Sequence, residues 1–187
     1  MGISFHYSAR IREYQQLDEL IEEVVDLSKD LNWSYSILID EKLKGIVVMP
    51  GESEPFWLCF TPDGKTSSPV NLRTRDPSDR FFSMVHVKTQ YAGADLHLAL
   101  MKMLRYLSDK YFLEIEVFDE TGYWENRNEE ALIEMFGKST RMLDILSRTL
   151  EGFQSVPNES VESLAARLER RIREKLGGRN ELLDLKE

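Results

Sequence analysis

Residues 88–125 constrain the fold of this chain most. They read Lys88-Thr89-Gln90-Tyr91-Ala92-Gly93-Ala94-Asp95, then an apolar-periodic run containing His97, then an alternating run, then Asp119-Glu120-Thr121-Gly122-Tyr123-Trp124-Glu125. In the middle, Leu96, Leu100, Met103, Leu104, Leu107 and Tyr111 recur at helical spacing, which predicts an amphipathic helix that Asp95 can cap. Over residues 112–118, Leu113, Ile115 and Val117 alternate with Glu114 and Glu116, the period of a half-buried strand. A helix and a strand packed as one unit anchor the polar segments at their outer ends to one scaffold. Those segments are where this chain would carry a site.

The rest of the chain supplies the layers for that unit. Ile3, Phe5, Tyr7, Ala9 and Ile11 alternate with Ser4, His6, Ser8 and Arg10, predicting a strand. Leu17, Leu20, Ile21, Val24, Ser28 and Leu31 then form a helical stripe that Asn32 should end. Strands follow over residues 33–39, 46–49 and 56–60, separated by turn residues such as Pro50-Gly51 and Pro62-Asp63-Gly64. Residues 65–80 read as a long polar loop around a short Val70-Asn71-Leu72 strand, and residues 81–89 as a further strand with Phe82, Met84, His86 and Lys88 on one face.

Beyond Trp124, Asn126 or Asn128 starts a helix with Glu129 and Glu130 in its first turn, running through Gly137 to Leu150. The expected division is an α+β domain over residues 1–151, a linker over 152–158 and a C-terminal helical extension over 159–187. That last helix carries Arg167, Arg170, Arg171 and Arg173, stops at Gly177-Gly178, and leaves nine residues expected to fray. The resulting expectation is an α+β fold: a mainly antiparallel sheet with helices on one face, plus the C-terminal helices. The order β-α-β-β-β-β-α is that of the TATA-binding-protein-like topology, with a ferredoxin-like or other α+β sandwich as the alternative.

Composition narrows the classes. With 187 residues, 42% hydrophobic and 30% charged, the chain reads as one globular domain with an appendage. A formal net charge of -9 argues against a general nucleic-acid binder, which needs clustered Lys and Arg to neutralise phosphates. The single cysteine, Cys59, lies in the apolar run Phe56-Trp57-Leu58-Cys59-Phe60 and reads as a small buried hydrophobe. No signal peptide and no membrane-spanning run are expected, so the expected setting is cytoplasmic.

Candidate site residues follow from placement. If the first strand and the strand containing His86 share an open face, His6, Ser8, His86 and Lys88 line it. His97, on the apolar side of its helix, reads more readily as a satisfied core histidine than as a catalytic base. Asp119 and Glu120 offer a general acid and base, yet adjacent residues of extended chain point apart. The competing reading makes Asp119 a turn residue before the bend at Gly122. Tyr123 and Trp124 either lid the core or, with Tyr91, present flat area to a ligand beside the Lys88 charge. The three histidines sit on separate elements with no i, i+4 pair, so neither a metal site nor a cofactor is expected. No phosphate-binding glycine loop and no nucleophile elbow occur.

The Lys88-Thr89-Gln90-Tyr91-Ala92 segment, His97 and Asp119-Glu120-Thr121-Gly122-Tyr123-Trp124-Glu125 resemble a family of uncharacterised bacterial cytosolic proteins, over roughly residues 81–137. The resemblance implies a class and no chemistry. Three expectations follow for function. The first is a non-enzymatic binding or interaction module, whose partner is another protein or a second copy docked through the C-terminal helix. The second is an enzyme or small-molecule binder with a pocket between the open sheet face and the 119–125 loop. The third is a partner-neutralising, immunity-like factor.

Overall fold

The computed structural model describes residues 2–151 and 159–175. By compactness the chain divides into two units, Met1–Phe136 and Gly137–Glu187. All six described strands lie in the first unit.

Strand β1 (Ser4–Ile11) buries Phe5, Tyr7, Ala9 and Ile11, as its alternation predicts. It runs antiparallel between β5 (Val85–Lys88) and β6 (Phe112–Asp119). Ser4 pairs with Lys88 and His6 with His86 on one side. His6 pairs with Phe118, Ser8 with Glu116 and Arg10 with Glu114 on the other. A second antiparallel sheet places β3 (Lys44–Met49) between β2 (Ser34–Ile39) and β4 (Phe56–Phe60). The β3–β4 contact requires Gly45, because a Cβ there would come within 2.2 Å of the Leu58 carbonyl oxygen.

Residues 64–67 stitch the two sheets together. The Ile11 amide donates to the Gly64 carbonyl at 2.9 Å, the Thr66 amide to Ala9 at 2.8 Å and the Ser67 amide to Cys59 at 2.9 Å. Helix α1 (Leu17–Asp30) contributes Leu20 and Val24 to one buried cluster with Phe5, Tyr7, Ile46 and Phe56. Leu100 and Leu104 of α3 (Ala94–Tyr111) belong to the same cluster, as do Tyr123 of the short helix α4 (Tyr123–Asn126) and Leu132 and Phe136 at the start of α5 (Glu129–Leu150). The fold is α+β. Cys59 is fully buried, and burial pushes its thiol up to about 12, far from a reactive thiolate.

Local structure departs from the sequence expectation in three places. Val70-Asn71-Leu72 lies in a helix, α2 (Pro69–Thr74), not a strand. Ser68 caps it by accepting the Asn71 amide, and proline occupies its first turn. The strand expected over residues 81–89 shortens to Val85–Lys88, because Asp79 accepts the Phe81 amide and the chain turns through residues 79–84. Phe82 and Met84 therefore do not share a strand face with His86. Their carbonyls instead accept from the Asn71 side chain at 3.1 and 2.7 Å. The residue preceding α3 is Gly93, at φ 89°, and Asp95 sits in the first turn without capping it.

Other boundaries match. Asn32, at φ 53°, follows the end of α1, and the Asn128 side chain accepts the Ala131 amide at 3.0 Å at the start of α5. Helix α5 passes Gly137 without a break. The division between the units falls inside α5, next to Gly137. In the second unit, Arg167 of α6 (Val161–Lys175) forms a 2.7 Å ion pair with Glu159, just before the helix. The expected linker, the Gly177-Gly178 stop and the frayed end all lie outside the described residues. Among the described residues, no helix is long and apolar enough to cross a membrane.

Candidate functional site

The two polar segments singled out in the sequence do meet, and they meet through His97. Helix α3 starts directly after the Lys88–Tyr91 segment, and β6 ends at Asp119, so the imidazole lies between them. Thr89 Oγ1 is 2.7 Å from His97 Nδ1. Asp119 Oδ1 is 3.2 Å from His97 Nε2. A ring carrying its hydrogen on Nε2 satisfies both contacts: Nε2–H donates to the carboxylate, and Nδ1 accepts from the threonine hydroxyl. The rings of Phe5 and Phe136 stand edge-on to it, with centroids 5.7 and 5.5 Å away.

Asp119 is the hub. Its carboxylate accepts the Thr121 amide at 2.9 Å, the Thr121 hydroxyl at 2.8 Å and the Trp124 amide at 3.1 Å, besides the His97 contact. Burial works to raise its carboxyl. The hydrogen bonds from His97 and Thr121 outweigh that and hold the group below the usual carboxylate range. Gly122 makes the turn possible, with φ +69°.

The order Thr89–His97–Asp119 has the connectivity of a nucleophile–base–orienter relay. Its environment is that of a core. Thr89 and His97 are 0% exposed and Asp119 6%, so no substrate atom reaches the threonine oxygen. Tyr123 joins the buried cluster. Trp124 is half-buried, with the Arg105 guanidinium 4.0 Å over its ring and donating to its carbonyl. These contacts tie the turn after β6 to α3. Thr89 and Thr121 are the partners that sequence reading missed; their burial was the only signal, and it depends on the pairing of β1 with β5 and β6.

The remaining candidates face outward. Glu120 turns away from Asp119, as adjacency in extended chain requires, and accepts the Ser4 amide at 2.7 Å and the Ser4 hydroxyl at 3.0 Å. His6 and His86 are cross-strand partners with ring centroids 4.6 Å apart. Glu54 lies 2.8 Å from His86 Nδ1 and also accepts the Lys88 amide at 3.0 Å. Burial, then the His86 charge, lowers the His6 pKa, against smaller opposing effects of Glu120 and Glu54. Lys88 lies 5.6 Å from the ring centre of exposed Tyr91. Strands β1 and β5 thus put His6, His86 and Lys88 on one open surface with Ser8. Among the described residues, no group of three or more His, Cys, Asp or Glu is arranged to hold a metal ion.

Farther along that same open face lies a groove of about 530 Å³. Ser8 and Arg10 of β1 and Glu114 and Glu116 of β6 form its floor, and Lys65, Asp79 and Arg80 its rim. Lys65 is 3.4 Å from Asp63, Arg10 reaches the Asp63 carbonyl at 3.5 Å, and Arg80 stacks 4.2 Å from the Phe81 ring. Asp119, Glu120, His97, Lys88, Tyr91, Trp124, His6 and His86 do not line this groove. Its floor was visible in the sequence as the outward residues of two alternating strands. Only the pairing of β1 with β6 puts them side by side. Comparison with family models, curated proteins and solved structures finds no match.

Proposed function

We propose that this protein is a non-enzymatic binding module of the bacterial cytosol, and that its recognition surface is the open face of the β5-β1-β6 sheet. The groove of about 530 Å³ between Ser8, Arg10, Glu114, Glu116 and the 77–83 segment carries this reading. Its volume is within the range of ligand sites, roughly 300–1,000 Å³. Its lining is charged in both senses, unlike the apolar lining of most such pockets, so it suits a ligand that carries separated positive and negative groups. The burial of Thr89, His97 and Asp119 supports binding over catalysis, because it removes from reach a relay with catalytic connectivity. The succession β1-α1-β2-β3-β4-β5-α3, with α2 set aside, follows the element order of TATA-binding-protein-like folds. That is an analogy of topology alone.

The test is amide NMR of the full chain titrated with the dipeptide Lys-Glu. Spermidine and citrate serve as ligands of a single charge sign. Shifts centred on Ser8, Arg10, Glu114 and Glu116 for the dipeptide, abolished by Arg10→Glu, bear the reading out. Shifts centred instead on residues 119–124 return the site to the 119–125 loop and refute it.

A further inference from the structure

We infer that strand β2 is the interface through which two copies of this chain associate, by antiparallel pairing of Ser34–Ile39 with the same strand of the second copy. Among the described residues β2 pairs with β3 alone, so its other edge is open. Edge strands of natural proteins are usually guarded by charge, proline, a bulge or brevity. Strand β6, an edge of the other sheet, carries Glu114 and Glu116 and a register irregularity against β1 at Arg10/Ile11. Strand β2 reads Ser-Tyr-Ser-Ile-Leu-Ile, with no charge and no proline over six residues. Ile37 is 50% exposed and Ile39 72%, although Ile46, the cross-strand partner of Ile37, is fully buried on the helix side of the sheet.

The hydrogen-bond phase decides the pairing. The Asp40 amide donates to the Leu43 carbonyl at 3.0 Å, closing the β2–β3 turn, so the Asp40 backbone points at β3. By antiparallel alternation, the backbone groups of Ile39, Ile37 and Tyr35 then point to the open edge. A two-fold axis at Ile37 makes these groups complementary to themselves. Ile37 meets its counterpart, and Tyr35 meets Ile39 of the other copy, as aromatic–aliphatic cross-strand pairs on one face. The charges agree with this register. Asp40 and Glu41 of one copy fall beside Ser34 and Trp33 of the other, so no like charges are opposed. A second copy is therefore the occupant that fits; a charged peptide would find no counter-charge along this strand.

Sedimentation of the full chain should give twice the 21.8 kDa monomer mass. Ile37→Lys should return it to the monomer with an unchanged circular dichroism spectrum. Cross-linking gives a second measurement in case that variant does not fold. In Ile37→Cys the new thiol is the accessible one, because Cys59 is buried. A short bis-maleimide should then yield a covalent dimer, and Leu113→Cys on β6, 62% exposed, should not. A wild-type protein that stays monomeric, a dimer that survives Ile37→Lys, or equal cross-linking at residues 37 and 113 overturns the inference. None of these outcomes depends on the groove.

Discussion

His97 and the His6–His86 pair are made of the same side chain, on elements that touch the same sheet, and the fold treats them oppositely. Around His97 each ring nitrogen has a partner, the ring is closed in by Phe5 and Phe136, and its exposure is zero. At His6 and His86 two rings face each other across strands, with Glu54 on one side and solvent on the other. A buried polar group is stable only when every bond is made, so the first cluster is a lock. The second leaves its rings partly open to solvent, and it belongs to the surface where the groove lies. Complete satisfaction marks scaffold here, and partial satisfaction marks a surface free to act.

The comparison breaks most severely at Asp119. Asp119→Ala strips His97, Thr121 and the Trp124 amide of their acceptor at once, and should cost about 3–5 kcal/mol, read as a lower urea midpoint. A loss under about 1 kcal/mol would mean that the cluster is hydrated and open.

Trp124→Ala should come next, at about 2–3 kcal/mol, below the range for a fully buried aromatic because this ring is half-buried. Unchanged stability would free Trp124 to be a ligand-contacting group, as the 119–125 pocket reading requires. Thr89→Val keeps the shape and deletes the hydroxyl, leaving His97 Nδ1 without its donor. About 1–3 kcal/mol is expected, and a neutral result would place the histidine's partner elsewhere.

Acid sharpens the contrast. Asp119 has a folded pKa below its unfolded value, which lies near 3.9. Its contribution to stability is complete above that unfolded value and is lost as the pH falls through the lower folded one. The wild type should therefore lose stability steeply below pH ~4, and Asp119→Asn, already weakened, should show a shallower slope over the same window. Equal slopes would remove Asp119 from the linkage.

The smallest effect belongs to the open face. Removing the neighbouring charge in His86→Ala should raise the His6 pKa, followed by ring-proton NMR. The recovery should stop short of the ordinary value near 6.5, because burial, the larger cause, remains. A lowered folded pKa means that His6 supports stability above that ordinary value and withdraws the support as pH falls through the folded one. In a half-exposed group this is a minor contribution. An unmoved His6 pKa would show that the two rings do not sense each other.

Periodicity alone fixed much of this protein. The alternation of β1, the facing of Ile115 and Val117 in β6, the stripes of α1 and α3, the run of α5 through Gly137 and the divergence of Asp119 from Glu120 all follow from local rules of two and 3.6 residues. Leu113, expected to share the face of Ile115 and Val117, is exposed because the register shifts beside it. Where local chemistry competes with pattern, reading failed. Ser68 and Pro69 start a helix under the apolar Val70-Asn71-Leu72 triplet, and Asp79 bends the chain where residues 81–84 looked extended. Which strand lies beside which was decided only by the tertiary structure, because a strand's sequence states its buried face and not its neighbour. Pairing of β1 with β5 and β6 sends Thr89 to His97, sets His6 against His86 and assembles the floor of the groove, while the order β2-β3-β4 leaves one edge of β2 open among the described residues. Apart from Thr89 and His97, the residues joined in this way are distant in sequence and are brought together by the collapse of a shared core.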